Sequence, residues 1–177
     1  GLRADRGLVS EAVRRSARAL RFAAGELRAD REVVLEAVRR DPEALKYAAG
    51  QLSADREVLL ACARQSPEAL EHLPEALRGD RGFMAEVVRL RGTALKLAAA
   101  ELRADPELVL QAVGQTWRAL KYAADELCAD RGFMLRAVAL DGTSLAFAAE
   151  RLRADPELVL EAARQDCELL EYAAPPL

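Results

Sequence analysis

The chain has 177 residues, of which 51% are apolar, 31% charged and 5% aromatic, with a formal net charge of −3. The apolar share is ample for a buried core, while the near-balanced charge excludes a general electrostatic pull towards phosphate backbones or anionic membranes. No apolar run approaches the roughly 20 residues needed to span a bilayer, and no signal-peptide pattern is present.

The first pattern met along the chain is a period. Leucine stands at 2, 27, 52, 77, 102, 127 and 152, aspartate at 5, 30, 55, 80, 105, 130 and 155, and leucine again at 20, 45, 70, 95, 120, 145 and 170. The spacing is 25 throughout, so seven units fill residues 2–26, 27–51, 52–76, 77–101, 102–126, 127–151 and 152–176. A strict period of this length marks a repeat array, in which each unit buries its apolar face only against its neighbours. The expectation is a single all-α solenoid domain over 1–177: seven helix-turn-helix repeats, about fourteen short antiparallel helices.

Each repeat predicts two helices. In repeat two, Asp30 caps a helix A running from Arg31 to Arg40, with Val33, Val34, Ala37 and Val38 on its inner face. Asp105-Pro106-Glu107 and Asp155-Pro156-Glu157 are the strongest forms of the same start signal. A second cap follows at Asp41-Pro42-Glu43 and Ser66-Pro67-Glu68, with Ser16, Thr116, Asp141 and Asp166 in the same place and Arg91 departing. Helix B is predicted from Pro42 to Gln51, with Leu45, Ala48, Ala49 and Leu52 as its stripe. Helices this short are marginal alone, so stacking must supply their stability.

The departures also run in chain order. Repeat one is more polar, with Gly7 and Ser10, as suits a terminal unit. Repeat three replaces the usual aromatic-Ala-Ala with Glu71-His72-Leu73-Pro74, and Pro74 should end or kink helix B. The largest local change of curvature is expected there. Repeats four and six share Arg-Gly-Phe-Met (81–84, 131–134), Leu90 and Leu140, and Gly-Thr (92–93, 142–143), while five and seven share residues 104–110 and 154–160. The C-terminal half is therefore two copies of a doubled unit. Pro175-Pro176 breaks the pattern at its end, and Gly1 without Met reads as a processed chain or a portion of a longer one.

Leu-Arg-x-Asp-Arg-Glu-Val-Val-Leu-x-Ala-Val followed by Ala-Leu-x-Tyr-Ala-Ala-x-x-Leu resembles the tandem repeats of the domain of unknown function 4116 family. The resemblance covers essentially the whole chain. It implies arrays of units twice the length of those described above and a protist or algal source. It implies no catalytic residues.

The candidate chemistry is sparse. His72 stands where other repeats carry Phe22, Tyr47, Leu97, Tyr122, Phe147 and Tyr172, so it reads as a space filler. Cys62, Cys128 and Cys167 fall at three different repeat positions and form neither a disulfide framework nor a metal site. Cys62 takes a small core position, and a reducing compartment, cytoplasm or an organelle interior, fits this usage. The seven aspartates read as caps, with Arg6, Arg31, Arg56, Arg81 and Arg131 beside them. Glu11, Glu36, Glu86 and Glu161, each three residues before Arg14, Arg39, Arg89 and Arg164, read as a solvated outer face of helix A. No cofactor and no metal ion is expected.

The outer stripe of helix B carries more information. It presents Arg18 and Arg21, then Glu43 and Lys46, Glu68 and Glu71, Lys96, Arg118 and Lys121, and Glu168 and Glu171. Its sign changes from repeat to repeat while the packing positions stay constant. Drift on a neutral surface gives that pattern, and so does selection for a partner of matching charge. Trp117 is either an interface anchor or a cover for the neighbouring turn.

The expected function is that of a non-catalytic helical-repeat scaffold that binds one or more proteins. It would serve as an accessory or stabilising subunit of a larger assembly, an organellar or photosynthetic one among the candidates. The alternative is a helical repeat protein that binds single-stranded nucleic acid. The acidic balance and the few aromatics available for stacking weigh against that alternative.

Overall fold

The computed structural model describes residues 1–66, 70 and 73–174. The architecture is an all-α repeat array, and among the described residues it contains no strand. His72, Glu68 and Glu71, part of the break in repeat three, and the proline pair 175–176 lie outside the described residues. The chain divides into two compact units, Gly1–Pro74 and Glu75–Leu177.

Helix A forms in every repeat: Arg6–Arg15, Arg31–Val38, Arg56–Gln65, Arg81–Leu90, Pro106–Val113, Arg131–Leu140 and Pro156–Gln165. All seven aspartates cap these helices. Asp30, for example, accepts from the backbone N–H groups of Glu32 and Val33, and Asp80 from Phe83. The capping satisfies donors that have no partner within the helix. The inner faces supply the core, with Val33, Val34, Ala37 and Val38 in repeat two and Phe83, Met84, Val87 and Val88 in repeat four nearly inaccessible to solvent. Cys62 is likewise buried in helix A of repeat three, where burial pushes its thiol pKa up to about 11.

Helix B differs from the expectation of one ten-residue α-helix. It is a six-residue 3-10 helix: Ala17–Phe22, Pro42–Tyr47, Gly92–Leu97, Trp117–Tyr122, Gly142–Phe147 and Cys167–Tyr172. The alanine pair that follows is extended, with Ala23 at φ −65°, ψ 153° and Ala24 at φ −60°, ψ 155°. A separate short turn then leads to the next cap, as at Gly25–Arg28, Ala100–Arg103 and Asp125–Cys128. Outside repeat three, whose helix B falls largely outside the described residues, each repeat thus contributes three helical segments where two were expected. In repeat two the short turn, Gly50–Ala54, is itself 3-10 and begins at Gly50 with φ +65°, a left-handed conformation that glycine adopts without a Cβ penalty.

Two features explain the break. First, burial on the 3-10 helix follows a period of three: Ala17, Leu20 and Ala23 are buried, as are Gly92, Leu95 and Ala98, and Gly142, Leu145 and Ala148. Side chains at i and i+3 eclipse one another in a 3-10 helix, so each buried row is straight, and a second row beside it, with Ala44, Ala94, Leu97, Ala119 and Ser144, is buried too. Second, the N–H of the second alanine leaves the helix. Ala24, Ala49, Ala99, Ala124, Ala149 and Ala174 donate to the carbonyls of Arg3, Arg28, Arg78, Arg103, Cys128 and Arg153 at 2.8–3.0 Å. Each of these bonds ties one short turn to the next.

The seventh equivalent of these alanines is Pro74, which has no N–H to donate. Proline therefore deletes this bond from repeat three as a matter of covalent structure, and the boundary between the compact units follows directly after it.

Within each unit the segments form two rows. In Glu75–Leu177 the long helices Arg81–Leu90, Pro106–Val113, Arg131–Leu140 and Pro156–Gln165 pack consecutively, and the four 3-10 helices pack consecutively beside them. In Gly1–Pro74 the long helices of repeats one, two and three pack in the same order, and Ala17–Phe22 packs against Pro42–Tyr47. The rows come close together at Gly92. A Cβ there would lie 2.4 Å from the carbonyl oxygen of Ala112 in the next long helix.

Candidate functional site

Two edges of the array carry charge, and they differ in how far that charge is satisfied. The first is the capped edge of the long helices. Arg6 reaches Asp30 of the following repeat at 2.9 Å and also pairs with Glu32. Arg31 does the same with Asp55 at 3.2 Å and with Glu57. Arg81 meets Asp105 at 2.6 Å, and Arg131 meets Asp155 at 2.7 Å and Glu157. The capping carboxylate thus serves its own helix N-terminus and the preceding repeat at once.

These contacts are visible in the acidities. Arg6 holds the Asp30 carboxyl below its ordinary range, and Arg81 and Arg131 do the same for Asp105 and Asp155, each against the opposing effect of partial burial. Repeat five carries Pro106 in place of the arginine. Arg136 of repeat six instead grips Glu107 of repeat five with both guanidinium nitrogens, at 2.7 and 3.1 Å. At Asp30, Asp55, Asp105 and Asp155 this edge is thus tied across repeats. The outer face of helix A also carries ion pairs, with Glu11–Arg14 at 3.2 Å and Glu161–Arg164 at 3.1 Å.

The second edge is the outer face of the 3-10 row, where the sequence placed its candidate residues. Arg18, Arg21, Lys46, Lys96, Arg118, Lys121, Glu168 and Glu171 are all exposed. Each pair is three residues apart, one full 3-10 turn, so both members share a face. On an α-helix they would have diverged by about 60°. The 3-10 geometry therefore aligns this stripe better than the expected α-helix would have.

In Gly1–Pro74 part of the stripe is already engaged. Lys46 pairs with Glu43 at 2.7 Å, Arg18 approaches Asp41 at 3.9 Å, and the Arg21 guanidinium lies 4.3 Å from the centroid of Phe22. In Glu75–Leu177, Lys96, Arg118, Lys121, Glu168 and Glu171 make no ion pair among the described residues, although the neighbouring Glu171 carboxylate pushes the Tyr172 phenol pKa up. Their order along the row is cationic in repeats four and five, uncharged at Thr143 and Ala146 in repeat six, and anionic in repeat seven.

Trp117 is half-buried. Its ring packs on Phe147 of the next repeat with centroids 5.6 Å apart and planes tilted by 49°, and Arg118 lies over it at 4.5 Å. Of the two readings of this residue, interface anchor or cover for a neighbouring turn, the packing on Phe147 matches the cover, and the ring also supports a cation. Arg91, at a position where other repeats cap with Asp or Thr, makes no side-chain cap and is exposed. Ser16 also makes none, whereas Asp41, Thr116, Asp141 and Asp166 do.

The tandem pattern matches the family described as domain of unknown function (DUF4116) at residues 5–52, 30–78, 80–128 and 130–177. The chain belongs to the DUF4116 family. Each DUF4116 match spans two of the repeats described above and begins at, or within a residue of, a helix A cap, and the last two follow the doubled units of the C-terminal half. The first two overlap over residues 30–52, as expected where the shorter period alone sets the register. No curated protein and no solved structure matches the chain.

Among the described residues no helix is long and apolar enough to cross a membrane, and no cluster of His, Cys, Asp and Glu has the geometry to hold a metal ion.

Proposed function

We propose that this DUF4116 array is a non-catalytic scaffold that binds another protein along the outer face of its 3-10 row, as an accessory subunit of a larger assembly. One observation carries this reading. At Asp30, Asp55, Asp105 and Asp155 the charges of the capped edge are taken up by contacts between repeats, whereas Lys96, Arg118, Lys121, Glu168 and Glu171 on the 3-10 face are exposed and in no ion pair among the described residues. Charge that an array does not use internally remains available to select a partner and set its register.

The face also varies while its support does not. Leu95, Leu120 and Leu145 stay buried under positions that read Lys, Lys and Ala. A single-stranded nucleic acid would need a continuous basic track with stacking surfaces. The row instead changes sign, and its tryptophan is packed against Phe147.

The test compares the proteins recovered with tagged full-length chain from extracts of its source. A variant reversing Arg118, Lys121, Glu168 and Glu171 should lose recovered partners. A control reversing Glu11, Arg14, Glu161 and Arg164 on the long-helix face should keep them. Equal recovery from both variants would reject the 3-10 face as the docking surface.

A further inference from the structure

We infer that the 3-10 helices of repeats four and five form a docking surface for an acidic protein segment. The inference rests on the protein-binding reading above and deepens it by naming the partner's chemistry.

Four cations gather on two consecutive 3-10 helices that pack against each other. Arg91 stands at the entry to Gly92–Leu97, Lys96 lies on that helix, and Arg118 and Lys121 lie on Trp117–Tyr122. All four are exposed, and none is in an ion pair among the described residues. The cap positions add to the imbalance. Repeats two, six and seven carry Asp41, Asp141 and Asp166 there, whereas repeats four and five carry Arg91 and Thr116.

Arg118 is also preorganised. It stacks on Trp117, which is wedged against Phe147, so its planar fork has less freedom to lose when a carboxylate binds. A carboxylate-bearing segment fits this patch better than a nucleic acid. The patch is short, its tryptophan face is covered on one side by Arg118, and the same row turns acidic at Glu168 and Glu171.

The sole tryptophan of the chain is thus a built-in reporter of the patch. The full chain is titrated with an octaglutamate peptide at low salt while Trp117 emission is followed. Saturable change is expected, weakening at least tenfold in Arg118→Glu/Lys121→Glu and little altered in Arg40→Glu/Arg64→Glu, which carries the same change in net charge. Circular dichroism and melting curves establish that each variant is folded.

Absence of a Trp117 response in the wild-type chain, or equal weakening in both variants, would overturn the inference. So would tighter binding of an oligouridine probe that displaces the peptide. If octaglutamate fails while the face variant still loses partners from extracts, protein binding stands and only the acidic partner falls.

Discussion

The backbone N–H of Ala49 donates to the carbonyl of Arg28 at 2.8 Å, and that bond, repeated at Ala24, Ala99, Ala124, Ala149 and Ala174, stitches successive short turns together. Pro74 occupies the one remaining equivalent position and has no hydrogen to offer. Pro74→Ala should create the missing bond. A backbone bond is worth about 1 kcal/mol net, but losing proline returns roughly 0.4–1 kcal/mol of entropy to the unfolded chain. Global stability should therefore move little. The decisive measurement is hydrogen exchange: the new amide at 74 should be protected to the level of Ala49, and exchange at an unprotected rate would refute the assignment.

Glycines 92 and 142 occupy the same repeat position but face different neighbours. At Gly92 a Cβ meets the backbone oxygen of Ala112 at 2.4 Å, which cannot move without shifting a helix. At Gly142 the nearest atom is the terminal Cδ1 of Leu169 at 2.6 Å, the free end of a side chain that can rotate away. Gly92→Ala should cost about 1–3 kcal/mol, as overpacking typically does. Gly142→Ala should cost clearly less. Denaturant titrations of the two variants side by side check the order, and a larger loss at 142 would contradict it.

Ser144 is fully buried, and its hydroxyl has no hydrogen-bond partner among the described residues. Its counterparts Ala44, Ala94 and Ala119 are buried just as deeply without a polar atom. Removing an unsatisfied hydroxyl should relieve about 1 kcal/mol or somewhat more. Ser144→Ala is therefore expected to raise the denaturation midpoint, with an unchanged slope. A lowered midpoint would mean that the hydroxyl has a partner in solution.

The Arg–Asp pairs of the capped edge set a pH dependence. Asp30, Asp105 and Asp155 have folded pKa values below the ordinary 3.8, because the arginines Arg6, Arg81 and Arg131 favour their charged forms. A depressed carboxyl pKa means that the unfolded chain binds more protons, so stability rises with pH across that window. The contribution should be complete above about pH 5 and should disappear as pH falls through the depressed values, below about pH 4. Thermal midpoints followed from pH 7 to pH 2.5 should show this acid limb. Arg81→Met should flatten it, whereas Arg40→Met, at an exposed arginine that forms no ion pair among the described residues, should not.

Much of the array was legible because its signals are local. The period of 25, the seven Asp caps, the long helices and the burial of Val33, Val34, Ala37 and Val38 follow from short-range chemistry that any single repeat contains. The exposure of Arg118 and Lys121 and the deletion of a backbone donor at Pro74 are likewise properties of the residues themselves. Helix B was misread because Leu45, Ala48, Ala49 and Leu52 satisfy the α-helical spacing, although Leu45 and Ala48 also satisfy a spacing of three. Six-residue 3-10 helices are uncommon enough that the α reading takes precedence on sequence alone.

What only the tertiary structure decided is where the backbone of each Ala-Ala pair goes. Its N–H bonds a carbonyl 21 residues earlier, and that long-range bond takes the place of the local one an α-helix would have made. The same holds for charge. The sequence by itself put arginines and carboxylates on two edges, and packing decided that the capped edge would pair across repeats while the stripe charges of Glu75–Leu177 would form no ion pair among the described residues. Pairing across repeats depends on distances between helices, which a list of residues along one chain does not contain.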